Sequence, residues 1–278
     1  MTPSWDGEDD RMSLQQPMSA VVVAHPDDEA LWLSSVVASV ARIVFGFGAV
    51  CGKPERSEAR RRAVAALPLR GIVNLAIAES GVEWQSYLAE PELTPWGVRI
   101  LEPAAGERYQ TNHAKLIEDL RPALAGCKDV YTHNPWGEYG HAEHIQVYSA
   151  VTALQDELGY TVWFSNYVGP RNWAFVGGLA GRLNWAQRRV VKPDIATARA
   201  LMQVYRHYGA WTWKSGHRWP AQEILYGQPP RSSPDDRHPL SGEWLLDVGR
   251  LRWWHPPWHS PWRRLTHPGE VRGPPTTV

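Results

Sequence analysis

Short apolar runs alternate with longer segments of helical periodicity through much of this chain. The run at 20–24 is continuously apolar and rich in valine, which is typical of a strand buried on both faces of a parallel sheet. The residue pattern predicts further strands at 42–50, 72–77, 129–133 and 161–167. Between and after them, the pattern predicts helices at 28–39, 57–67, 112–124, 141–158 and 194–208. Repeated strand-helix units of this kind predict an α/β fold, a mostly parallel sheet with helices on both faces.

The helix predicted at 141–158 has a clear apolar stripe. Ile145, Tyr148, Val151 and Leu154 recur at helical spacing, so we expect this face to pack on the sheet. The glycines and prolines at 135–140 indicate a loop that leads into the N-terminus of this helix.

Three regions differ in character along the chain. Residues 1–18 are polar and charged, and are predicted to be a disordered N-terminal segment. Residues 19–227 form the predicted α/β domain. Residues 228–278 are rich in Pro, Trp, Arg and His and show little periodicity, so we interpret them as an irregular C-terminal extension packed on the domain.

Composition places the protein among ordinary soluble globular proteins. Of its 278 residues, 43% are hydrophobic and 21% charged, and the formal net charge is +0. This balance lacks the basic footprint of a nucleic-acid-binding protein, so no nucleic-acid partner is expected. Cys51 and Cys127 lie far apart and outside any Cys-x-x-Cys spacing, which argues against a disulfide scaffold or a thiolate zinc knuckle.

The expected location is cytoplasmic. The first twenty residues carry acidic side chains in place of a basic and then apolar signal sequence. No stretch approaches the roughly 20 apolar residues of a membrane span, so no transmembrane segment is expected. The oligomeric state is left open.

A dense group of titratable side chains follows the first strand. His25, Asp27, Asp28 and Glu29 lie where open α/β sheets place their ligands. Side chains this crowded repel one another unless a cation or a strong hydrogen-bond network compensates them. The alternative is a structural one, in which Asp27 or Asp28 merely caps the following helix.

A second polar motif begins the helix predicted at 141–158. His141 and His144 are three residues apart and share a helix face, although two such histidines by themselves more often belong to a solvated helix face. Because both motifs lie at strand-to-helix junctions, we expect them at the same edge of the sheet. His25 and Asp28 could then bind a metal ion with His141 or His144 as the third ligand, and Asp27 could act as general base. The spacing is not that of the helical zinc proteases.

At these two motifs the sequence resembles the PIG-L family of N-acetylglucosaminyl deacetylases. The resemblance rests on residues 24–29 (AHPDDE) and 134–144 (NPWGEYGHAEH) and covers about residues 19–168. It implies a Rossmann-like fold and a mononuclear zinc (Zn2+) site with His25, Asp28 and His144 as ligands. It further implies Asp27 as the base that deprotonates water. Protonated His141 would stabilise the oxyanion or protonate the departing amine.

Sixteen tryptophans are an unusual number for a chain of this length. Trp136 lies inside the second motif and is expected to line the pocket. The others either pack the irregular segments, form a platform for sugar or aromatic groups, or make peripheral membrane contact. Beyond the family core they include Trp211, Trp213, Trp219, Trp253, Trp254, Trp258 and Trp262.

Within the family, the Trp-rich C-terminal extension resembles the deacetylases of glycopeptide-antibiotic biosynthesis, which act on teicoplanin-type pseudoaglycones. The expected activity is therefore hydrolysis of the acetamide of an N-acetylglucosamine conjugate, with a glycopeptide pseudoaglycone as the substrate. Other conjugates, such as a thiol-cofactor precursor or a glycolipid, are the alternatives. An inactive glycoconjugate-binding module and an amidohydrolase for a different acylated amine also stay open.

Overall fold

A computed structural model describes residues 18–82, 87, 91–169, 172, 175–176, 179, 187–213 and 217–231. The predicted disordered segment lies outside the described residues except for Met18. The predicted extension lies outside them beyond Arg231, together with its tryptophans. The division into these three regions therefore stays a prediction.

The described strands form one large sheet and one small hairpin. The large sheet contains β1 (Met18–Val23), β2 (Arg42–Phe45), β3 (Ile72–Asn74), β6 (Cys127–Thr132), β7 (Thr161–Ser165), β8 (Gln187–Val191) and β9 (Glu223–Gln228). The hairpin pairs β4 (Leu93–Thr94) with β5 (Gly97–Val98).

Within the described part of the chain, the seven strands lie in the order β3-β2-β1-β6-β7-β9-β8. The first five in this order run parallel, and β9 pairs antiparallel with both β7 and β8. β1 is central and pairs with β2 on one side and β6 on the other. The carboxyl ends of β1 and β6 are therefore neighbours, and the two polar motifs follow these ends directly.

The helices of the described residues flank this sheet. They are α1 (Asp28–Trp32), α2 (Pro54–Ala65), α3 (Pro103–Leu124), the short turn α4 (Gly137–Gly140), α5 (Ala142–Leu158) and α6 (Ile195–His207).

Two hydrophobic cores lie on opposite faces of the sheet, which confirms the predicted α/β architecture. Ala20 and Val22 face a core formed with α3 and α5. Val21 and Val23 face the other core, formed with α1, α2 and α6. This alternation follows from the two-residue period of a strand, and both faces of β1 are apolar because both are covered.

Several strands and helices begin or end at residues other than those predicted. The strand predicted at 42–50 ends at Phe45, and the helix predicted at 28–39 ends at Trp32. Conversely, α3 begins nine residues before the predicted start, at Pro103, where proline suits the first turn. β8 and β9 were not predicted. β8 is largely exposed and begins QRR, so it lacks an apolar signal.

None of the described helices is long and apolar enough to cross a membrane.

Candidate metal centre

The first motif forms a tight turn at the end of β1. The backbone N–H of His25 donates to Asp28 Oδ2 at 2.8 Å, and the N–H of Asp28 donates to the His25 carbonyl at 3.2 Å. Asp27, at the N-terminus of α1, has a φ of 111°, a conformation that non-glycine residues seldom adopt. Backbone strain of this kind is often found at functional sites.

The second motif approaches from β6 and α5. His133 and Asn134 follow β6 directly, and His141 is the N-cap residue of α5. His144 lies in the first turn of α5 and has no exposed surface. The neighbouring strand ends therefore bring residues more than 100 positions apart to the same edge of the sheet.

Three predicted ligands meet at one carboxylate oxygen. Asp28 Oδ2 lies 3.2 Å from His25 Nδ1 and 3.3 Å from His144 Nε2. The His25 and His144 rings are 5.4 Å apart between centroids. All three side chains are buried, so water does not screen this group.

Hydrogen bonds on the far side of each ring decide which nitrogen faces Asp28. His25 Nε2 contacts Glu143 Oε2 at 2.8 Å, and His144 Nδ1 contacts Glu138 Oε2 at 2.7 Å. Burial by itself would raise the pKa of both glutamates, but hydrogen bonds and charges from the imidazoles lower each to about 2. An ionised carboxylate only accepts hydrogen bonds, so each imidazole must donate from this far nitrogen.

In the neutral imidazoles, the nitrogens that face Asp28 then carry lone pairs. His144 Nε2 is buried and has no hydrogen-bond partner, although such atoms are normally satisfied. Both lone pairs then face the same carboxylate oxygen, at 3.2 and 3.3 Å, and they repel it unless a cation lies between them. Two imidazoles and one carboxylate are a donor set that zinc accepts, so the residues present fit a divalent metal.

His133 is a fourth imidazole near this point, but its nitrogens are already occupied. Its Nε2 accepts the Ala24 N–H at 2.8 Å and its Nδ1 contacts Glu138 at 3.0 Å. It therefore supports the site without a free lone pair for a metal, although it lies close to Asp28 and His144.

Asp27 is held beside the predicted ligands by the chain that follows α6. Its Oδ2 accepts the backbone N–H of Thr212 at 3.0 Å and the Thr212 hydroxyl at 2.8 Å. Burial, followed by the neighbouring charge of Asp28, raises the pKa of Asp27 to about 7. Such a value suits a group that accepts and returns a proton near neutral pH.

His141 is half-buried and lies against both metal-ligand candidates. Its ring stacks on His144 at 4.6 Å and meets the edge of His25 at 4.9 Å. Its Nδ1 accepts the Glu143 N–H at 3.3 Å, which leaves Nε2 to carry the proton of a neutral ring. Burial, with the nearby imidazoles, lowers the pKa of His141 well below its ordinary value. These surroundings favour neutral His141 over the protonated form expected from the family resemblance.

The expectation that Trp136 lines the pocket needs correction. Trp136 has no exposed surface, and its indole N–H donates to the Tyr167 carbonyl at 2.5 Å. Its ring meets the edge of Phe164 at 5.9 Å inside the core. Its buried position makes it a packing residue that anchors the loop before α4.

A different set of aromatic side chains borders the site. We call Tyr139, Trp213 and His217 the aromatic wall; all three are half-buried. The Tyr139 ring lies 5.5 Å from His144 and 5.1 Å from Trp213, and Trp213 lies 6.2 Å from His217. The wall thus continues from the predicted metal ligands towards the surface.

Four functional candidates were missing from the sequence analysis: His133, Glu138, Glu143 and Thr212. Glu138 and Glu143 lie inside the second motif, where their proximity to histidines was the available signal. His133 is the last residue of the strand predicted at 129–133, and its place at that strand end was the available signal. Thr212 lies far along the chain in an unremarkable context, and nothing in the sequence indicates its contact with Asp27.

Comparisons with known proteins give a family match and similar solved structures. Residues 20–155 match the sequence profile of the PIG-L family, described as GlcNAc-PI de-N-acetylase. A search of curated proteins gives no match.

Among solved structures, the zinc-inhibited form of teicoplanin deacetylase Orf2 is similar with a TM-score of 0.50 and 11% identity, over 78% of this chain and all of that one. A deacetylase-bog complex from the teicoplanin pathway has a TM-score of 0.49 and 12% identity, with the same coverage. The N,N'-diacetylchitobiose deacetylase from Pyrococcus horikoshii has a TM-score of 0.40 and 12% identity, over 72% of this chain and 75% of that one.

Proposed function

Because this chain belongs to the PIG-L family of deacetylase enzymes, we propose that it hydrolyses the acetamide of an N-acetylglucosamine conjugate with the help of zinc. Acetate and a free glucosamine amine are the products. The observation that carries this proposal is the convergence of His25 Nδ1, His144 Nε2 and Asp28 Oδ2, with both ring tautomers set by buried glutamates.

His25, Asp28 and His144 would hold the metal. When bound there, a divalent cation polarises the acetamide carbonyl and makes a water molecule easier to deprotonate. Asp27 is the base in this proposal: its carboxylate takes the proton as the water oxygen attacks the carbonyl carbon. Thr212 keeps the Asp27 carboxylate in one orientation while it does so.

The remaining steps use the same side chains. The Nε2–H of neutral His141 donates to the carbonyl oxygen as that oxygen gains negative charge, and preorganised donors of this kind stabilise the transition state. As the C–N bond breaks, the proton held by Asp27 passes to the departing nitrogen. One hydrogen of water thus ends on the amine, and the hydroxyl ends in acetic acid, which loses its proton to solvent and leaves as acetate. Asp27 returns to its starting state.

The substrate that we propose is a glycopeptide pseudoaglycone carrying N-acetylglucosamine. The similarity of fold to teicoplanin deacetylase suggests this class, and the aromatic wall supports it. Half-buried Tyr139 lies beside His144, and half-buried Trp213 lies beside Tyr139, so both offer faces on which sugar or aromatic rings pack.

Acetate release from a panel of conjugates tests the proposal. The panel contains the glycopeptide pseudoaglycone, a simple N-acetylglucosamine glycoside, a glycolipid and a thiol-cofactor precursor. We expect zinc-dependent turnover, with the highest kcat/KM for the glycopeptide. Binding without acetate release would indicate an inactive module, and preference for another conjugate would replace the substrate while keeping the chemistry.

The variant Trp213→Ala separates the aromatic wall from the chemistry. Loss of one ring contact costs about 0.5–1.5 kcal/mol, so we expect KM for the glycopeptide to rise roughly 2- to 10-fold. The simple glycoside serves as the matched control, because it lacks the large aromatic aglycone of the glycopeptide. An equal effect on both substrates would contradict a role in recognising the larger one.

A further inference from the structure

We propose that Glu138 is a positioning residue, which sets the tautomer and orientation of the metal ligand His144 with His133 as its second donor. This inference rests on the proposed metal site. It adds two side chains, Glu138 and His133, which do not bind the metal but hold the ligand His144 in place.

Both carboxylate oxygens of Glu138 accept hydrogen bonds from buried groups. Its Oε2 accepts from His144 Nδ1 at 2.7 Å and from His133 Nδ1 at 3.0 Å, while Oε1 accepts the Asn134 N–H at 3.1 Å. Only 1% of Glu138 is exposed. Because it is buried and accepts from three donors, this carboxylate cannot easily release either imidazole.

Both ring nitrogens of His133 make hydrogen bonds, so its ring is held in place where it stacks on His144. Because the Nε2 of His133 accepts the Ala24 N–H, its Nδ1 carries the hydrogen and donates a hydrogen bond to Glu138. The His133 and His144 rings are stacked with centroids 3.9 Å apart and planes 20° apart. His144 therefore cannot rotate without breaking the Glu138 bond and moving against His133.

The backbone is strained at the residue that makes these contacts. Glu138 has φ 54° and ψ −68°, which is costly for a residue with a side chain. Its own N–H donates to Asn134 Oδ1 at 2.8 Å, and its carbonyl accepts the Gly169 N–H at 2.6 Å. A Cβ at Gly169 would lie 2.8 Å from Tyr139 Cα. Several neighbours thus hold one unfavourable conformation, and the result is a carboxylate aimed at His144.

Metal affinity of the variant Glu138→Gln tests this role. Glutamine offers one acceptor oxygen where glutamate offers two, so at least one of the three N–H groups loses its partner. We expect zinc affinity, measured by chelator competition on the metal-free protein, to fall about 10- to 100-fold. Glu157→Gln, an exposed position on α5 that pairs with Arg121, is the matched control and should bind zinc like the wild type.

A spectroscopic measurement, made first on the wild-type protein and then on the variant, gives a second readout of the inference. In the zinc-loaded protein, nitrogen-proton NMR of His144 should show the proton on Nδ1 in a strong hydrogen bond, and this signal should move in Glu138→Gln. A purely packing role for Glu138 would leave it unmoved.

The outcomes separate the two proposals. Wild-type protein that binds no zinc would overturn the proposed function. Wild-type binding with an unchanged affinity and an unchanged His144 signal in Glu138→Gln would overturn the positioning role alone. If the variant fails to fold, a His144 proton found on Nε2 of the wild type would still overturn it.

Discussion

At the scale of single residues, His25 and His144 have the same hydrogen-bonding arrangement. Each ring donates from its far nitrogen to a buried glutamate and turns its other nitrogen towards Asp28. Carboxylate-histidine-metal arrangements raise the basicity of the ligand and fix its tautomer. In the proposed metal site, the two glutamates would therefore orient the ligands.

Replacing Asp27 with asparagine should separate metal binding from catalysis. Asparagine tolerates a positive φ better than most residues and has almost the same shape, but it cannot accept the proton of water. We expect Asp27→Asn to bind zinc with unchanged stoichiometry while kcat falls roughly 10²- to 10⁴-fold. Metal analysis and acetate release on the same sample measure both quantities, and near-normal turnover would remove the base assignment.

Thr212 offers a finer test of how Asp27 is held. Thr212→Val keeps the shape of the side chain and the backbone N–H, but removes the hydroxyl that donates to Asp27 Oδ2 at 2.8 Å. One hydrogen bond is worth about 0.5–1.5 kcal/mol, so kcat should fall roughly 2- to 10-fold. Thr212→Ser restores the hydroxyl and should restore the rate. Equal rates in both variants would contradict the positioning of Asp27 by this hydroxyl.

The sequence predicted those site residues whose signal is local. His25, Asp27 and Asp28 are adjacent, and His141 and His144 share a helical turn. The parallel sheet then explains why two distant motifs meet. Contacts such as Thr212 with Asp27, 185 positions apart, depend on tertiary packing that no pattern of residue types encodes.

At the scale of elements, α5 connects the core with the site. Its stripe of Ile145, Tyr148, Val151 and Leu154 is buried as predicted, while His144 in its first turn faces Asp28. Packing of the stripe on the sheet therefore fixes where His144 lies.

Leu154→Ala should weaken this element without touching the site. Leu154 is 1% exposed, so truncation leaves a cavity and should lower the free energy of unfolding by about 2–5 kcal/mol. Denaturant titration measures this loss, and zinc stoichiometry should be unchanged because the site lies at the other end of α5. Glu157→Ala, exposed in the next turn, is the control. A stability equal to wild type would mean that α5 is not held by this stripe.

β9 contributes a buried acid with a predictable effect on stability. Glu223 has no exposed surface and accepts the Tyr167 hydroxyl at 3.0 Å. Burial raises its pKa from 4.5 to about 7. The folded state therefore holds this proton more tightly, and the associated stability is present below pH 4.5 and lost as pH rises through 7.

Glu223→Gln stays neutral, so its stability should not fall in this way as the pH rises. We expect the stability of the variant relative to wild type to grow between pH 4.5 and 7 by on the order of 2–3 kcal/mol. Denaturant titrations across this range measure the difference. Glu157→Gln, an exposed acid, should show no comparable trend, and a pH-independent difference for Glu223→Gln would contradict the raised pKa.

At the scale of the whole molecule, the folded unit extends beyond the residues that match the family. Residues 20–155 match the family, yet β9 and α6 lie beyond them. The Tyr205 hydroxyl of α6 donates to Glu29 at 2.8 Å, and Thr212 holds Asp27. The second half of the chain thus completes the surroundings of the proposed base.

The architecture was predictable for the parallel half of the sheet and not for the rest. The continuous apolar run at 20–24 identifies β1 because both faces of this strand are buried. β8 carries exposed arginines instead, and Arg189 packs over the Trp163 ring at 3.7 Å. Its pairing with β9 depends on that tertiary context, so local periodicity does not reveal it.

The most direct test of the metal centre is anomalous diffraction from a crystal of the zinc-loaded protein, recorded on both sides of the zinc absorption edge. We predict one strong peak in contact with His25 Nδ1, Asp28 Oδ2 and His144 Nε2, and its loss in His144→Ala. A crystal of folded, zinc-treated protein without that peak, or with the ion held by other side chains, would contradict the account.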